Sequence, residues 1–433
     1  MEDISKILNE AKECLNCKKP MCKDGCPVYT SIPEFISKIK EEKFEEAYKI
    51  LIENNIMSEI CSLVCPTENQ CMGKCIKGIK GKSVDISKLE LFINKWAKEN
   101  NVNFNIEPKQ SKKVKIAIIG AGPAGIACAV ELKKEGYQVT IFEKENKVGG
   151  ILEYQIPDFR LEKEIIIPIK ETLTTLGINI EYNVTFGKDI DIKNLKKNGY
   201  NNVFLATGAG RSSTYELAKQ ENKNIFVAKD ILKKYYNKEK IENLGQTIII
   251  GGGNVAMDAA RVAKKMGATK VTVIYRRNKD KMPAIKSEIE DAIEEGVEFI
   301  YDTKVIAAKT DNKNNLTNIE CIKTKTLDNK IEDIEKSNFL IPANTIIFAI
   351  GLKIEEEFFN KIGIETENGL VKIDKHGMTN IPGIFAGGDL VEKNQTVCKA
   401  IASGKRAAKG IERYLRNSEK WIHLNPWKIE KSC

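Results

Sequence analysis

The chain has 433 residues, of which 42% are hydrophobic and 30% charged, with a formal net charge of +9. That balance suits a globular protein of two to four domains at roughly 100–200 residues each, and no apolar run approaches the roughly 18–20 residues of a membrane span. The acidic start Met1-Glu2-Asp3 lacks a signal-peptide apolar stretch, so a cytoplasmic location is expected.

The basic excess is 61 Lys with only eight Arg, and lysines alternate with acids along most of the chain. No aromatic-plus-basic motif accompanies the charge, which speaks against nucleic-acid binding. His376 and His423 are the only histidines, so chemistry that needs a histidine pair has little material.

Residues 1–110 read as a helical domain built around cysteine. Its spacings are Cys14-x2-Cys17-x4-Cys22-x3-Cys26-Pro27 and Cys61-x3-Cys65-Pro66-x4-Cys71-x3-Cys75. Eight thiolates suffice for two four-cysteine clusters. The first run is close to the bacterial ferredoxin spacing but has x4 where that pattern has x2. Two four-cysteine zinc sites are the alternative, and disulfides a third, disfavoured by the compartment. Ser31-Ile-Pro33-Glu34 has the form of a capping box with proline in the first turn. Phe35, Ile36, Ile39, Phe44, Ala47, Tyr48, Leu51 and Ile52 follow at helical spacing. A further helix is expected over 86–98 and a polar linker over 99–113. Cys128, Cys321, Cys398 and Cys433 are read as packing, isolated or tail residues.

The remainder reads as α/β and repeats internally. The first copy runs from a strand over 114–119 through Gly120-Ala-Gly122-Pro-Ala-Gly125 into a helix, and closes with a strand over 203–206. The second runs from 247–250 through Gly251-Gly-Gly253-Asn-Val-Ala256 into a helix, and closes over 345–349. Each glycine turn offers free helix N–H groups to a pyrophosphate. After the first copy, the strand 138–142 ends at Glu143. That acid lies 23 positions beyond Gly120, near the spacing of about 20 for a carboxylate on a ribose hydroxyl. After the second, the strand 270–275 ends in Arg276-Arg277. A guanidinium can hold a 2′-phosphate that a carboxylate would repel, so NADP(H) is expected there. The alternative is a surface arginine pair at a strand end.

With these residues in view, the chain resembles the small chain of NADPH-dependent glutamate synthase and its relatives. Those include the ferredoxin:NADP oxidoreductase large subunit and the dihydropyrimidine dehydrogenase N-terminal half or small subunit. The resemblance rests on Cys14 to Cys26, Val64-Cys65-Pro66 to Cys75, the GAGPAG turn, Gly149-Gly150, Ile156-Pro157 with Phe159-Arg160-Leu161, Gly251 to Arg261, Tyr275-Arg276-Arg277, Met282-Pro283-Ala284 and Phe385 to Asp389. It implies an N-terminal helical iron–sulfur domain followed by two Rossmann-like domains, the second inserted into the first. The expected spans are 1–110 for the clusters, 111–230 with 350–433 for FAD, and 231–349 for NADPH.

The resemblance also implies one 4Fe–4S cluster on Cys14, Cys17, Cys22 and Cys75, and another on Cys26, Cys61, Cys65 and Cys71. The FAD residues implied are Gly120, Gly122, Pro123, Ala124, Gly125, Glu143, Lys144, Gly150, Ile151, Arg160, Gly208, Gly388, Asp389, Thr396 and Val397. Those for NADPH are Gly251, Gly252, Gly253, Asn254, Val255, Arg276, Arg277 and Gly351. No catalytic acid or base is required, because the cofactors carry the hydride chemistry. The expected function is an electron-input subunit that passes electrons from NADPH through FAD and the clusters to a larger catalytic partner, glutamate-synthase-like, or to a ferredoxin-type acceptor. Two departures leave the partner open. Gln155 replaces a usual glycine, and the stretch 209–230 is short, as in the pyrimidine-reducing relatives. A non-enzymatic interaction subunit is the reading from another class.

Overall fold

A computed structural model describes residues 3–102, 106–212, 222, 224–327, 330–393 and 395–419, and His423 and Cys433 lie outside them. The chain divides into two compact units. One comprises Met1–Glu153, Asp158–Ala209 and Ile354–Cys433, the other Tyr154–Pro157 and Gly210–Lys353.

The first unit begins with helices Ile4–Lys12, Met21–Gly25, Ile32–Lys40, Phe44–Asn54, Ser58–Val64 and Ile86–Glu99. Asp3 caps the first by accepting the Ser5 N–H, and Asp85 caps the last by accepting that of Lys88 at 3.1 Å. Their apolar faces meet in one core that buries Phe35, Ile36, Ile39, Leu51, Leu89 and Ile93. Phe44 sets its ring edge-on to both Phe92 and Trp96. Each fully buried aliphatic contributes about 1.5–3 kcal/mol. The apolar series from Phe35 to Ile52 is split between two helices, because Glu42 turns the chain with φ +58°. Ser31 does sit at the N-cap, but its side chain makes no capping bond. Its Oγ instead accepts Lys23 Nζ at 3.2 Å.

A parallel sheet follows, in the spatial order Ile384–Ala386, Tyr200–Leu205, Lys115–Ile119, Gln138–Glu143, Asn179–Tyr182. The late strand thus returns to the first sheet, as expected. The helix Pro123–Lys134 is buried on nearly all sides. The long helix Val397–Glu419 lies against it closely enough that a Cβ on Gly404 would stand 2.1 Å from the Ala124 carbonyl oxygen.

The second unit holds another parallel sheet, ordered Ile225–Val227, Thr345–Phe348, Gln246–Ile250, Lys270–Ile274, Glu298–Ile300. The strand Ile225–Val227 pairs here, so the expected division after residue 230 falls too late, and the chain crosses at Ala209–Gly210. An antiparallel sheet, Thr303–Thr310, Leu316–Leu327, Lys330–Asp333 and Phe339–Pro342, completes the unit. It has no counterpart among the sequence expectations, because Lys and Thr interrupt its apolar alternation. Among the described residues no helix is long and apolar enough to cross a membrane.

Candidate cofactor sites

In the first unit the strand Lys115–Ile119 runs into Gly120, which has φ +106°. A Cβ there would stand 2.5 Å from the Ala206 carbonyl oxygen, so only glycine can bring the turn this close to the neighbouring strand. Gly122 is the N-cap of the helix that starts at Pro123, and nothing lies within 4 Å of the place where its Cβ would be. A Cβ on Gly125 would meet the Gly120 carbonyl oxygen at 1.9 Å. Glu143 ends the adjacent strand, with its carboxylate buried beneath the turn. It accepts the N–H of Ala121 at 2.6 Å and that of Glu145 at 2.9 Å. Burial raises its pKa despite those two bonds.

Gly149 donates its N–H to the Ala121 carbonyl at 2.8 Å, and a Cβ on Gly150 would come within 3.1 Å of Gly122 Cα. Ile151 opens a short helix directly after it. From the other side, Gly388 packs against Ala124, whose Cβ would stand 3.1 Å from a Cβ added at Gly388, and donates its N–H to Ser403 Oγ at 2.6 Å. Asp389 follows with an enclosed carboxyl, pushed up to about 6 by burial and then by Glu392. Thr396 stands at the start of the last helix, with its carbonyl accepting Ala400 N–H at 3.0 Å, and Val397 is buried. Gly208, at φ +72°, has open space where a side chain would stand. Lys144 is exposed and Arg160 half-buried.

The arrangement fits a dinucleotide by three observations: an open backbone cradle at Gly122, free N–H groups at the helix start, and a buried acid beneath it. Gly120, Gly122, Gly125, Glu143, Gly150, Gly388 and Asp389 gather around this one helix end.

The second unit repeats the turn. Gly251 has φ +147°, and a Cβ there would lie 2.3 Å from the Ala349 carbonyl oxygen. Gly252 lies under the Tyr275 ring, which a Cβ would approach to 2.5 Å. Gly253 is the N-cap of the helix Asn254–Lys265 and has open space at its Cβ position. Asn254 Oδ1 accepts the N–H of Ile285 at 2.8 Å, while Gly252 accepts that of Ala284 at 3.1 Å. These bonds tie the turn to the Met282-Pro283-Ala284 segment. Val255 is half-exposed, and Gly351 has φ +96° with an open Cβ position.

Arg276 and Arg277 follow the strand Lys270–Ile274. Arg276 is exposed, and Arg277 Nε is buried with no hydrogen-bond partner among the described residues. An enclosed guanidinium nitrogen without a partner suits an incoming anion. On the same helix Arg261 has a structural task. It bonds Glu288, Asp291 and Glu295 and so clamps the helix Lys286–Glu294.

None of the eight N-terminal cysteines is disulfide-bonded among the described residues; Cys22 and Cys61 lie in the helices Met21–Gly25 and Ser58–Val64, and the other six in the connecting segments beside the helical core. Cys22 lies within electrostatic reach of Cys14 and Cys75, and burial pushes its thiol up to about 11. Burial also raises Cys71, which lies near Cys26 and Cys22. Cys65 lies beside Cys61 and Cys398, and Cys61 Sγ accepts Asn55 Nδ2 at 3.3 Å. Cys17 is half-buried after Asn16, which has φ +48°.

A zinc site draws three or four ligands onto one ion. A 4Fe–4S cube instead carries its thiolates on separate irons. Iron cations would supply the positive charge that turns such buried thiols into thiolates, so the donor set fits.

Sequence reasoning missed Glu90. Its carboxyl is enclosed, raised to about 8 by burial, and lies within reach of Cys26, Cys71 and Cys398. It also missed that Cys398 Sγ meets the Gln70 side chain at 3.1 Å. No local pattern in the sequence marks either.

The comparisons with known proteins agree with this layout. The family model "Pyridine nucleotide-disulphide oxidoreductase" matches residues 114–404. "Dihydropyrimidine dehydrogenase domain II, 4Fe-4S cluster" matches residues 2–102. The glutamate synthase (NADPH) small chain of Escherichia coli K12 is 31% identical over 431 residues, covering 94% of this chain and 91% of its own. The NAD-dependent dihydropyrimidine dehydrogenase subunit PreT of Escherichia coli O157:H7 is 32% identical, covering 95% of both. Among solved structures, Mycobacterium tuberculosis FprA in complex with NADPH superposes with a TM-score of 0.61 at 15% identity, over 72% of this chain and 87% of that one, a likeness of fold. With a 4Fe–4S domain ahead of a pyridine-nucleotide oxidoreductase fold, the chain belongs to the glutamate synthase small-chain family of oxidoreductases, which work with FAD, NADPH and 4Fe–4S clusters.

Proposed function

We propose that this chain is the electron-input subunit of a larger complex, with a glutamate-synthase-type large chain as its partner. The reading rests above all on one contrast, a buried acid beneath the first glycine turn and an arginine pair beside the second. We assign FAD to Gly120, Gly122, Pro123, Ala124, Gly125, Glu143, Lys144, Gly150, Ile151, Arg160, Gly208, Gly388, Asp389, Thr396 and Val397. NADPH falls to Gly251–Val255, Arg276, Arg277 and Gly351.

When bound, these groups and the clusters supply hydride and single-electron chemistry. The chain's own residues bind and orient them. The helix N-termini at Pro123 and Asn254 receive pyrophosphate, Glu143 receives a ribose hydroxyl, and the arginines receive the 2′-phosphate. The eight cysteines hold two clusters, Cys14, Cys17, Cys22 and Cys75 in one and Cys26, Cys61, Cys65 and Cys71 in the other. The approach of Cys22 to Cys14 and Cys75 supports the first set, while Cys71 lies near both Cys26 of its own set and Cys22 of the other.

A second reading, a pyrimidine-reducing complex, is favoured by the matching length of the dihydropyrimidine dehydrogenase subunit. The test is NADPH-driven dye reduction by the chain reconstituted with FAD, iron and sulfide. Turnover that prefers NADPH over NADH supports the proposal. Dye reduction with NADH preferred favours the second reading, and no dye reduction with either coenzyme sinks both.

A further inference from the structure

Three of the eight N-terminal cysteines each stand next to an exposed apolar side chain. Leu15 follows Cys14 and is 64% exposed, Met21 precedes Cys22 and is 47% exposed, and Ile76 follows Cys75 and is 41% exposed. Ile79, one short turn further, is 79% exposed.

These side chains belong to one face. Cys22 lies within electrostatic reach of both Cys14 and Cys75. An ion pair between Glu13 and Lys77 ties the turn Ile76–Ile79 to the Cys14 segment. The helix Met21–Gly25 packs on the turn before Cys75, since a Cβ on Gly25 would meet Lys74 Cγ and the Gln70 carbonyl oxygen at 2.8 Å each. Leu15, Met21, Ile76 and Ile79 are therefore exposed on adjoining segments that also carry Cys14, Cys22 and Cys75. Large apolar groups grouped in this way, away from any core, mark a contact surface.

The rim is basic. Lys18, Lys19, Lys74, Lys80 and Lys82 are exposed and pair with no carboxylate among the described residues. In the segments 12–24 and 74–82 the acids are Glu13 and Asp24, and Glu13 is already engaged by Lys77.

We propose that this face docks the larger partner subunit, through a patch on that subunit with an apolar centre and a carboxylate rim. The inference rests on the electron-input reading and deepens it. An apolar centre with a basic rim selects an acidic partner, and the lysines speed its approach and fix its register. The location puts the contact beside Cys14, Cys22 and Cys75.

The test uses the full chain, reconstituted with clusters and FAD, and as probe the glutamate synthase large chain of the organism that encodes it. Binding is measured by calorimetry at low and high salt, and NADPH-driven dye reduction is measured in parallel. The wild type is expected to bind more weakly as salt rises. Leu15→Glu with Ile79→Glu, and separately Lys18→Glu with Lys19→Glu and Lys80→Glu, should each weaken binding by about tenfold or more. Dye reduction should not change, because none of these residues holds a cofactor.

Binding equal to wild type in both variants overturns the proposal, as does the absence of any complex with the wild type. Self-association of the chain that both variants abolish would assign the face to a second copy and also overturn it. Loss of dye reduction in the wild type would sink the electron-input reading instead, and the binding data would still be read independently.

Discussion

The carboxylate of Glu143 accepts the backbone N–H of Ala121 at 2.6 Å, and so fixes the first glycine turn from beneath. The same carboxylate is assigned to the ribose, so it serves the turn and the ligand at once. Replacing Glu143 by Ala leaves a buried N–H unpaired and removes the ribose acceptor. Hydrogen bonds to charged groups are worth about 1.5–3 kcal/mol, so FAD affinity should fall by roughly 10- to 150-fold. Glu143→Gln should lose less, because it keeps an acceptor. Flavin fluorescence titration measures both, and unchanged affinity in Glu143→Ala would remove the assignment.

Arg276 and Arg277 should discriminate between the coenzymes. Arg277 Nε is buried without a partner among the described residues, which is costly unless an anion completes it. Arg276→Ala with Arg277→Ala should lower kcat/KM for NADPH by about ten- to a hundredfold while changing that for NADH little. A double variant whose NADPH-to-NADH ratio matches the wild type would reduce the pair to surface arginines.

Asp389 should give the flavin-free protein a distinctive pH response. Its carboxyl is raised from 3.8 to about 6, first by burial and then by Glu392. With the folded pKa above the unfolded one, the stability it contributes is complete below about pH 4 and is lost as pH rises through 6. Asp389→Asn should therefore flatten the decline between pH 4 and 6, gaining about 1–2 kcal/mol at pH 7 after allowance for partial exposure. Urea midpoints across that range test it, and parallel curves for variant and wild type would show that the group is not shifted.

Iron content should separate ligands from bystanders. The reconstituted chain should hold about eight iron atoms. Cys22→Ser should lose about four of them, because its thiol stands with Cys14 and Cys75. Cys128→Ser and Cys321→Ser change buried packing residues and should leave iron unchanged. Equal iron in Cys22→Ser and Cys128→Ser would contradict the division.

Gly125 tests the packing of the first turn, and it lies within the assigned FAD cradle. A Cβ there would stand 1.9 Å from the Gly120 carbonyl oxygen, a backbone atom that cannot yield. Gly125→Ala should cost about 2–4 kcal/mol, the range of core overpacking and backbone strain. Gly253, with open space at its Cβ position, should accept alanine with little loss of stability but weaker coenzyme binding. Thermal melts of the two variants give the comparison, and equal melting temperatures would refute it.

Most of the two nucleotide folds was legible in the sequence. Strands expected over 114–119, 138–142, 247–250 and 270–275 appear as Lys115–Ile119, Gln138–Glu143, Gln246–Ile250 and Lys270–Ile274. Continuous apolar runs ending in glycine specify parallel strands buried on both faces. The antiparallel sheet from Thr303 to Pro342 was not legible, since one face is solvated and Lys and Thr break its pattern. The helix expected through Phe35 to Ile52 divides at Glu42, whose positive φ no periodicity announces. Ser31 reached its expected place but was engaged by Lys23 rather than by the helix.

By itself the sequence determined the chemistry on offer: two glycine turns with an acid after one and arginines after the other, and eight cysteines before residue 76. Those are local features, fixed by what a turn sterically permits and by which side chains can hold an anion or a metal. The tertiary structure decided which groups meet. It set Cys22 beside Cys14 and Cys75, turned Glu90 toward Cys26 and Cys71, and joined Gln70 to Cys398 across 328 positions of chain. Such meetings follow from helices and sheets burying their apolar faces together, and no spacing along the chain encodes them.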